Sequence, residues 1–196
     1  MTATLYIPCD SAALACGAEE VLLAIQAEAL ARKIDVKIIR NGSRGMLWLE
    51  PMVEVATPQG RIAYGPVTPE DVTALFEADF LSGSKNHKLC IGRPEEVPYL
   101  KNQERLTFAR CGITDPTDIE DYIAHEGYRG LKAAAHMSGE AIVTAVTESG
   151  LRGRGGAGFP TGIKWKTVLG LDSHQKYIVC NADEGDSGTF ADRMIM

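Results

Sequence analysis

The chain has 196 residues, 45% hydrophobic and 23% charged, with a formal net charge of -6. That acidic balance excludes nucleic acid or an anionic membrane surface as a partner held by overall charge, since polyanions are bound by basic patches. No apolar run reaches the ~18–20 residues of a bilayer span, the first residues lack a secretory signal, and an odd set of five cysteines makes no disulfide framework, so the chain reads as cytoplasmic.

Residues 1–80 read as a small α/β unit. Thr4–Pro8 is a short apolar strand. Residues 18–33 place Leu22, Leu23, Ile25, Ala29 and Leu30 at helical spacing, which predicts an amphipathic helix. Val36–Arg40 is β-branched and strand-like. Met46-Leu47-Trp48-Leu49, Met52–Thr57 and Arg61–Tyr64 read as further strands, with Pro58-Gln59-Gly60 turning between the last two. Thr68 suits an N-cap, Pro69 the first helical position, and Glu70 and Asp71 the first turn. The order β-α-β-β-β-α is close to that of a thioredoxin-like fold.

Residues 81–112 read as a connector. Ser82-Gly83-Ser84-Lys85-Asn86 has linker composition, and Cys90 to Cys111 lacks sustained periodicity. From Asp115-Pro116 the pattern turns helical, through Tyr122 and Ile123 and again at Leu131–Ala135. Ser138 is placed to cap a helix that buries Ile142, Val143 and Val146, and Gly150 to end it in a left-handed turn.

Gly153-Arg154-Gly155-Gly156-Ala157-Gly158 satisfies G-x-G-x-x-G. The loop follows a helix rather than a strand, so the dinucleotide fingerprint of a βαβ unit is the wrong context. A flexible glycine turn is the bland reading. Its neighbours favour an anion: four glycines expose backbone N–H groups, Arg152 and Arg154 add positive potential, and Lys164 supplies a point charge. Phe159 offers a face to a planar ring. Tyr177–Cys180 reads as a buried strand delivering Asn181, Asp183 and Glu184 to its carboxyl end, where ligands of α/β proteins commonly sit. Asp183, Glu184 and Asp186 are also hard oxygen ligands of the kind Mg or Ca takes, but that reading leaves the basic glycine loop unexplained.

Two long motifs, Gly150 to Trp165 and Cys180-Asn181-Ala182-Asp183-Glu184-Gly185, strongly resemble the NADH-binding flavoprotein subunit of respiratory complex I and its relatives. The relatives include the diaphorase subunit of NAD-reducing hydrogenases and the beta subunit of NAD-dependent, molybdenum-containing formate dehydrogenases. The stretch Gly185 to Arg193 looks most like the formate dehydrogenase branch, with Ser187 where complex I members usually carry proline. The resemblance implies an α/β chain: a thioredoxin-like domain, then, over 113–196, the start of an FMN-binding domain. It implies that Gly153, Arg154, Gly155, Gly156 and Lys164 line FMN, that Asn181, Asp183 and Glu184 hold the flavin, and that Phe159, Lys164 and Asp186 face NAD(H). Hydride would pass between nicotinamide and flavin, so no side chain is nominated as acid or base.

Implied partners are a small 2Fe-2S subunit and a large molybdenum-containing iron–sulfur subunit. The family continues past the equivalent of Met196 into a domain holding a 4Fe-4S cluster, so the chain reads as truncated. The family's separate thioredoxin-like domain binds a 2Fe-2S cluster through four cysteines. Here Cys9 fits the first position, Cys16 lies two residues too far along, and Asn41-Gly42-Ser43-Arg44-Gly45 replaces the second pair. Cys9 and Cys16 then read as small buried residues. A non-catalytic docking or assembly fragment is the rival reading.

Overall fold

A computed structural model describes residues 2–154, 156–181, 183, 184 and 189. The chain divides into compact units, one built on residues up to 125 and one spanning 126–181.

The first unit is a five-stranded mixed sheet. β1 (Ala3–Tyr6) leads through α1 (Ser11–Ala15) and α2 (Ala18–Arg32) to β2 (Val36–Ile39). β3 (Val53–Thr57) and β4 (Gly60–Tyr64) form a hairpin, followed by α3 (Val72–Glu77) and β5 (Cys90–Gly92). The order is β2-β1-β3-β4-β5, with β1 and β2 parallel and the remaining pairs antiparallel. Its first four strands have the thioredoxin-like arrangement: a parallel βαβ unit joined to an antiparallel hairpin and helix.

Side-chain alternation assigns the two sheet faces. Leu5, Val53, Val55, Ile62 and Tyr64 pack against Val21, Leu22, Ile25 and Ala29 of α2 and Leu75 and Phe76 of α3. Ala63 turns the other way, to Met46, Met52 and the half-buried Leu49 and Ile91. Register places Tyr6 opposite Glu54 and Glu54 opposite Ala63. Tyr6 and Glu54 therefore share that second face.

Two expected features differ. Leu47–Leu49 is a 3-10 turn rather than a strand; a three-residue apolar run carries no periodicity to decide between the two. In the stretch read as linker and connector, Cys90–Gly92 pairs with the outer edge of β4, and α4 (Pro98–Lys101) follows it.

Beyond it lie α5 (Ile119–Ala124), α6 (Arg129–Ala134), α7 (Gly139–Glu148) and α8 (Thr161–Leu169). Ser138 caps α7, its Oγ accepting from Ala141 N at 3.2 Å. Ile142, Val143 and Val146 are half-buried on one side of that helix. Gly150 has φ +67°, the left-handed turn that glycine permits. Tyr177–Cys180, read as a buried strand, is neither. Tyr177, Ile178 and Val179 are 83%, 101% and 85% exposed, and none of them pairs with another strand among the described residues. β-branched composition favours an extended chain, but burial requires a neighbouring strand or helix.

Candidate functional site

α7 and α8 form an antiparallel helical hairpin joined by the glycine loop. Near the loop, Gly162 lies against Thr147; at the far end, Gly139 approaches Leu169. Small residues at both contacts let the helices approach closely.

The loop between them is closed at its base. Gly153 N donates to Phe159 O at 2.8 Å, and Thr161 N donates to Leu151 O at 2.9 Å. Arg152 and Pro160 form an antiparallel bridge, and Arg152 Nε donates to Gly158 O at 2.6 Å. The tip, with Arg154, Gly156 and Ala157, stands exposed. A Cβ added at Gly156 would meet nothing within 4 Å, so backbone there is open to close approach. α8 begins immediately after the loop and adds the positive end of its dipole on the same side of the chain.

Lys164 lies one turn into α8, its Nζ 5.7 Å from the centroid of the Phe159 ring. A cation over an aromatic face is attracted by the ring quadrupole. Both side chains remain largely exposed, so charge and ring are presented together. The structure thus gathers Gly153, Arg154, Gly156, Phe159 and Lys164 on one loop and helix. Asn181 ends this unit and is exposed. Asp183 is exposed, and Glu184 is half-buried with φ +48°. Gly155 and Asp186 lie outside the described residues. The donor set fits an anionic, planar ligand such as FMN: open glycine backbone, two cations and an aromatic face.

Residues 146–196 match the family model described as the Nuo51 FMN-binding domain. Curated relatives extend the likeness. The chain is 54% identical over 96 residues to the NADP-reducing hydrogenase subunit HndC of Solidesulfovibrio fructosivorans, covering 49% of the chain and 19% of HndC. It is 54% identical over 94 residues to an NADH-quinone oxidoreductase subunit of Rhizobium meliloti, covering 47% and 22%. The chain thus spans a minor part of either relative. A solved structure, the thioredoxin-like [2Fe-2S] ferredoxin of Aquifex aeolicus, is 21% identical with a TM-score of 0.40, covering 47% of this chain and 98% of that one.

Among the described residues, the cysteines of the first unit do not come together as a 2Fe-2S ligand set. Cys9 is half-buried, whereas Cys16, expected to be buried, is exposed just past the last turn of α1. Cys9, Cys16, Cys90 and Cys180 are free thiols. Burial pushes the Cys9 and Cys111 thiols up, which makes both poor thiolate donors at neutral pH. Asn41, Ser43 and Arg44 are buried where the second cysteine pair would be required. Asp10 Oδ2 and Asn41 Oδ1 are buried without a partner. Acceptor oxygens of that kind call for a donor and would repel an anionic cluster. Among the described residues no group of three or more His, Cys, Asp or Glu is arranged to hold a metal.

A buried charge network stands there instead, which composition alone did not reveal. Arg44 holds Glu54 in a fork, with Nη2 donating to Oε2 at 2.9 Å, and its Nη1 lies 3.1 Å from Glu95. Arg61 reaches Glu54 at 3.3 Å and lies over the Tyr6 ring, 3.3 Å from its centroid. Asn41 Nδ2 and Arg61 Nη1 both donate to Gly112 O, at 2.9 and 3.1 Å, and Arg61 Nη2 donates to Ile113 O at 2.7 Å. Glu50 is buried beside this network, accepting from Ser43 Oγ at 2.6 Å and Met52 N at 2.9 Å. A sequence signal did exist: Glu54 sits between Val53 and Val55 in a strand, and Arg61 lies across the hairpin, so alternation directs both to one face.

No helix among the described residues is long and apolar enough to cross a membrane.

Proposed function

We propose that the chain is part of a diaphorase-type flavoprotein subunit that carries hydride between NAD(H) and FMN and passes electrons to or from iron–sulfur clusters. The observation that carries this reading is the base-closed glycine loop with Lys164 and Phe159 beside it, inside the segment matched by an FMN-binding family. When bound, FMN would supply hydride chemistry at its ring and the step from two-electron to one-electron transfer.

The chain's own residues would bind and orient. In this reading Gly153, Arg154, Gly155 and Gly156 would hold the FMN phosphate and ribitol. Lys164 neutralises negative charge, and the face of Phe159 takes the nicotinamide side. Asn181, Asp183 and Glu184 hold the flavin through acceptor and donor groups, and Asp186 serves NAD(H), with a shorter reach than glutamate. Residues 113–196 are, in this reading, the leading part of the FMN domain, and 1–80 a docking module without a cluster.

The parent complex is an NAD-dependent formate dehydrogenase with a molybdenum-containing subunit and a small 2Fe-2S subunit, working in the cytoplasm. Support comes from the Gly185–Arg193 wording and the fused thioredoxin-like unit. A second reading, the equivalent subunit of a hydrogenase or of a quinone-linked NADH oxidoreductase, is favoured by the likeness to relatives from both of those complexes. The 4Fe-4S cluster would lie in sequence beyond this chain.

The deciding experiment is an anaerobic visible spectrum of the native complex before and after NADH. Flavin absorbance that bleaches with NADH and returns with an electron acceptor supports the reading. A complex without extractable FMN and without response to NADH leaves only the docking fragment. Formate-driven bleaching in the presence of molybdenum would then separate formate dehydrogenase from its hydrogenase and quinone-linked counterparts.

A further inference from the structure

We propose that Arg152 is a positioning residue that fixes the shape of the glycine loop for a phosphate, an inference resting on the flavin reading above. Composition suggests a different role, since an arginine beside a glycine loop reads as a charge aimed at the ligand. The geometry turns its side chain to the loop itself. Arg152 Nε donates to Gly158 O at 2.6 Å, six residues on. Gly158 has φ +51°, and a Cβ there would lie 3.6 Å from Arg152 Nε, so the guanidinium runs alongside that glycine.

The backbone bonds from Gly153 to Phe159 and from Thr161 to Leu151 fasten only the base of the loop. Beyond them lie three more glycines, Gly155, Gly156 and Gly158, of the residue type with the greatest conformational freedom to lose on ordering. The Arg152 side chain adds one more fastening just inside those bonds, at Gly158. It also engages the Gly158 carbonyl with a cationic donor, removing an oxygen that would otherwise be free to turn toward an anion. Arg154 at the exposed tip is left as the loop's outward charge.

The test uses the native complex stripped of flavin and titrated with FMN and with riboflavin, which has the same ring and ribitol chain but no phosphate. Glutamine places its Nε2 the same number of bonds from Cα as the arginine Nε, so Arg152→Gln keeps a donor without the charge. Arg152→Lys keeps the charge with its donor one atom farther out, and Arg152→Met keeps length alone. Loss of the strut in Arg152→Met should weaken FMN binding about tenfold, while riboflavin changes less than about twofold. Arg152→Gln should stay within about threefold of the parent for FMN.

Equal losses for both flavins in Arg152→Met would overturn the proposal, making the residue a general scaffold. Rescue by Arg152→Lys but not by Arg152→Gln would overturn it too, making the charge itself the contact. An unsubstituted complex that takes up riboflavin and FMN equally would remove the phosphate site that the strut serves. One that takes up neither would remove the flavin reading as well.

Discussion

Thr147 leaves no room for a side chain at Gly162: a Cβ there would lie 2.3 Å from Thr147 Oγ1 and 2.7 Å from its Cα. The first atom could rotate away; the second is backbone. Gly162→Ala should therefore push α7 and α8 apart at the end where the glycine loop is anchored. A cost of roughly 1–3 kcal/mol is the usual scale for overpacking. Thermal unfolding of the native complex, read together with its FMN content, measures it. Adding Thr147→Ala should recover only part of the loss, because the contact with Cα remains.

Lys164 and Phe159 present a cation and a ring within 5.7 Å of one another. On the flavin reading, Lys164→Ala should slow NADH-driven flavin bleaching by about tenfold or more, the scale of a lost charge-assisted contact. Stopped-flow absorbance at saturating and limiting NADH checks this. Full bleaching at the parent rate would remove Lys164 from the site.

Glu50 gives the first unit a pH dependence. Burial pushes its carboxyl up to about 7, an effect that Ser43 and the Met52 N–H only partly oppose and that Asp10 and Glu54 reinforce. The folded chain thus binds a proton that the unfolded chain, with an ordinary carboxylate, releases near pH 4.5. Stability from this group is fully present below that value and is lost as pH rises through about 7. The change is on the order of 3 kcal/mol at most. Glu50→Gln can still accept from Met52 N and should flatten the profile. Denaturant midpoints at pH 5 and pH 8 for both forms test the sign.

Arg44→Met should be more damaging than its modest change in size suggests. It would leave Glu54, 1% exposed, with Arg61 alone. Removing one member of a buried pair costs about 3–5 kcal/mol, whereas replacing both members by apolar groups can be close to neutral. The double change Arg44→Met with Glu54→Leu should therefore be more stable than Arg44→Met by itself, as measured by chemical denaturation.

Much of the first unit was legible because its signals are local and periodic. α2 carries apolar residues at helical spacing, and the β3–β4 hairpin alternates around Pro58-Gln59-Gly60. What escaped depends on partners far along the chain. Leu47–Leu49 is too short to show a period. β5 is three residues that become a strand only through the edge of β4. Tyr177–Val179 has strand composition, yet composition does not supply something to pair with. The glycine loop Gly153–Gly158 was visible as a motif, but the inward turn of Arg152 follows from loop closure over six residues, which no spacing rule encodes.

Gly112 O is shared by Asn41 and Arg61, and a Cβ at Gly112 would lie 2.2 Å from Arg44 Cγ. The segment around Gly112 is thus fastened to a sheet whose strands were laid down long before it in sequence. A protease must first pull these bonds apart to seat the backbone, so limited digestion should spare 110–113 and leave them attached to the N-terminal fragment. Anyone trimming the gene to isolate the sheet should place the new end after Ile113, not at residue 80.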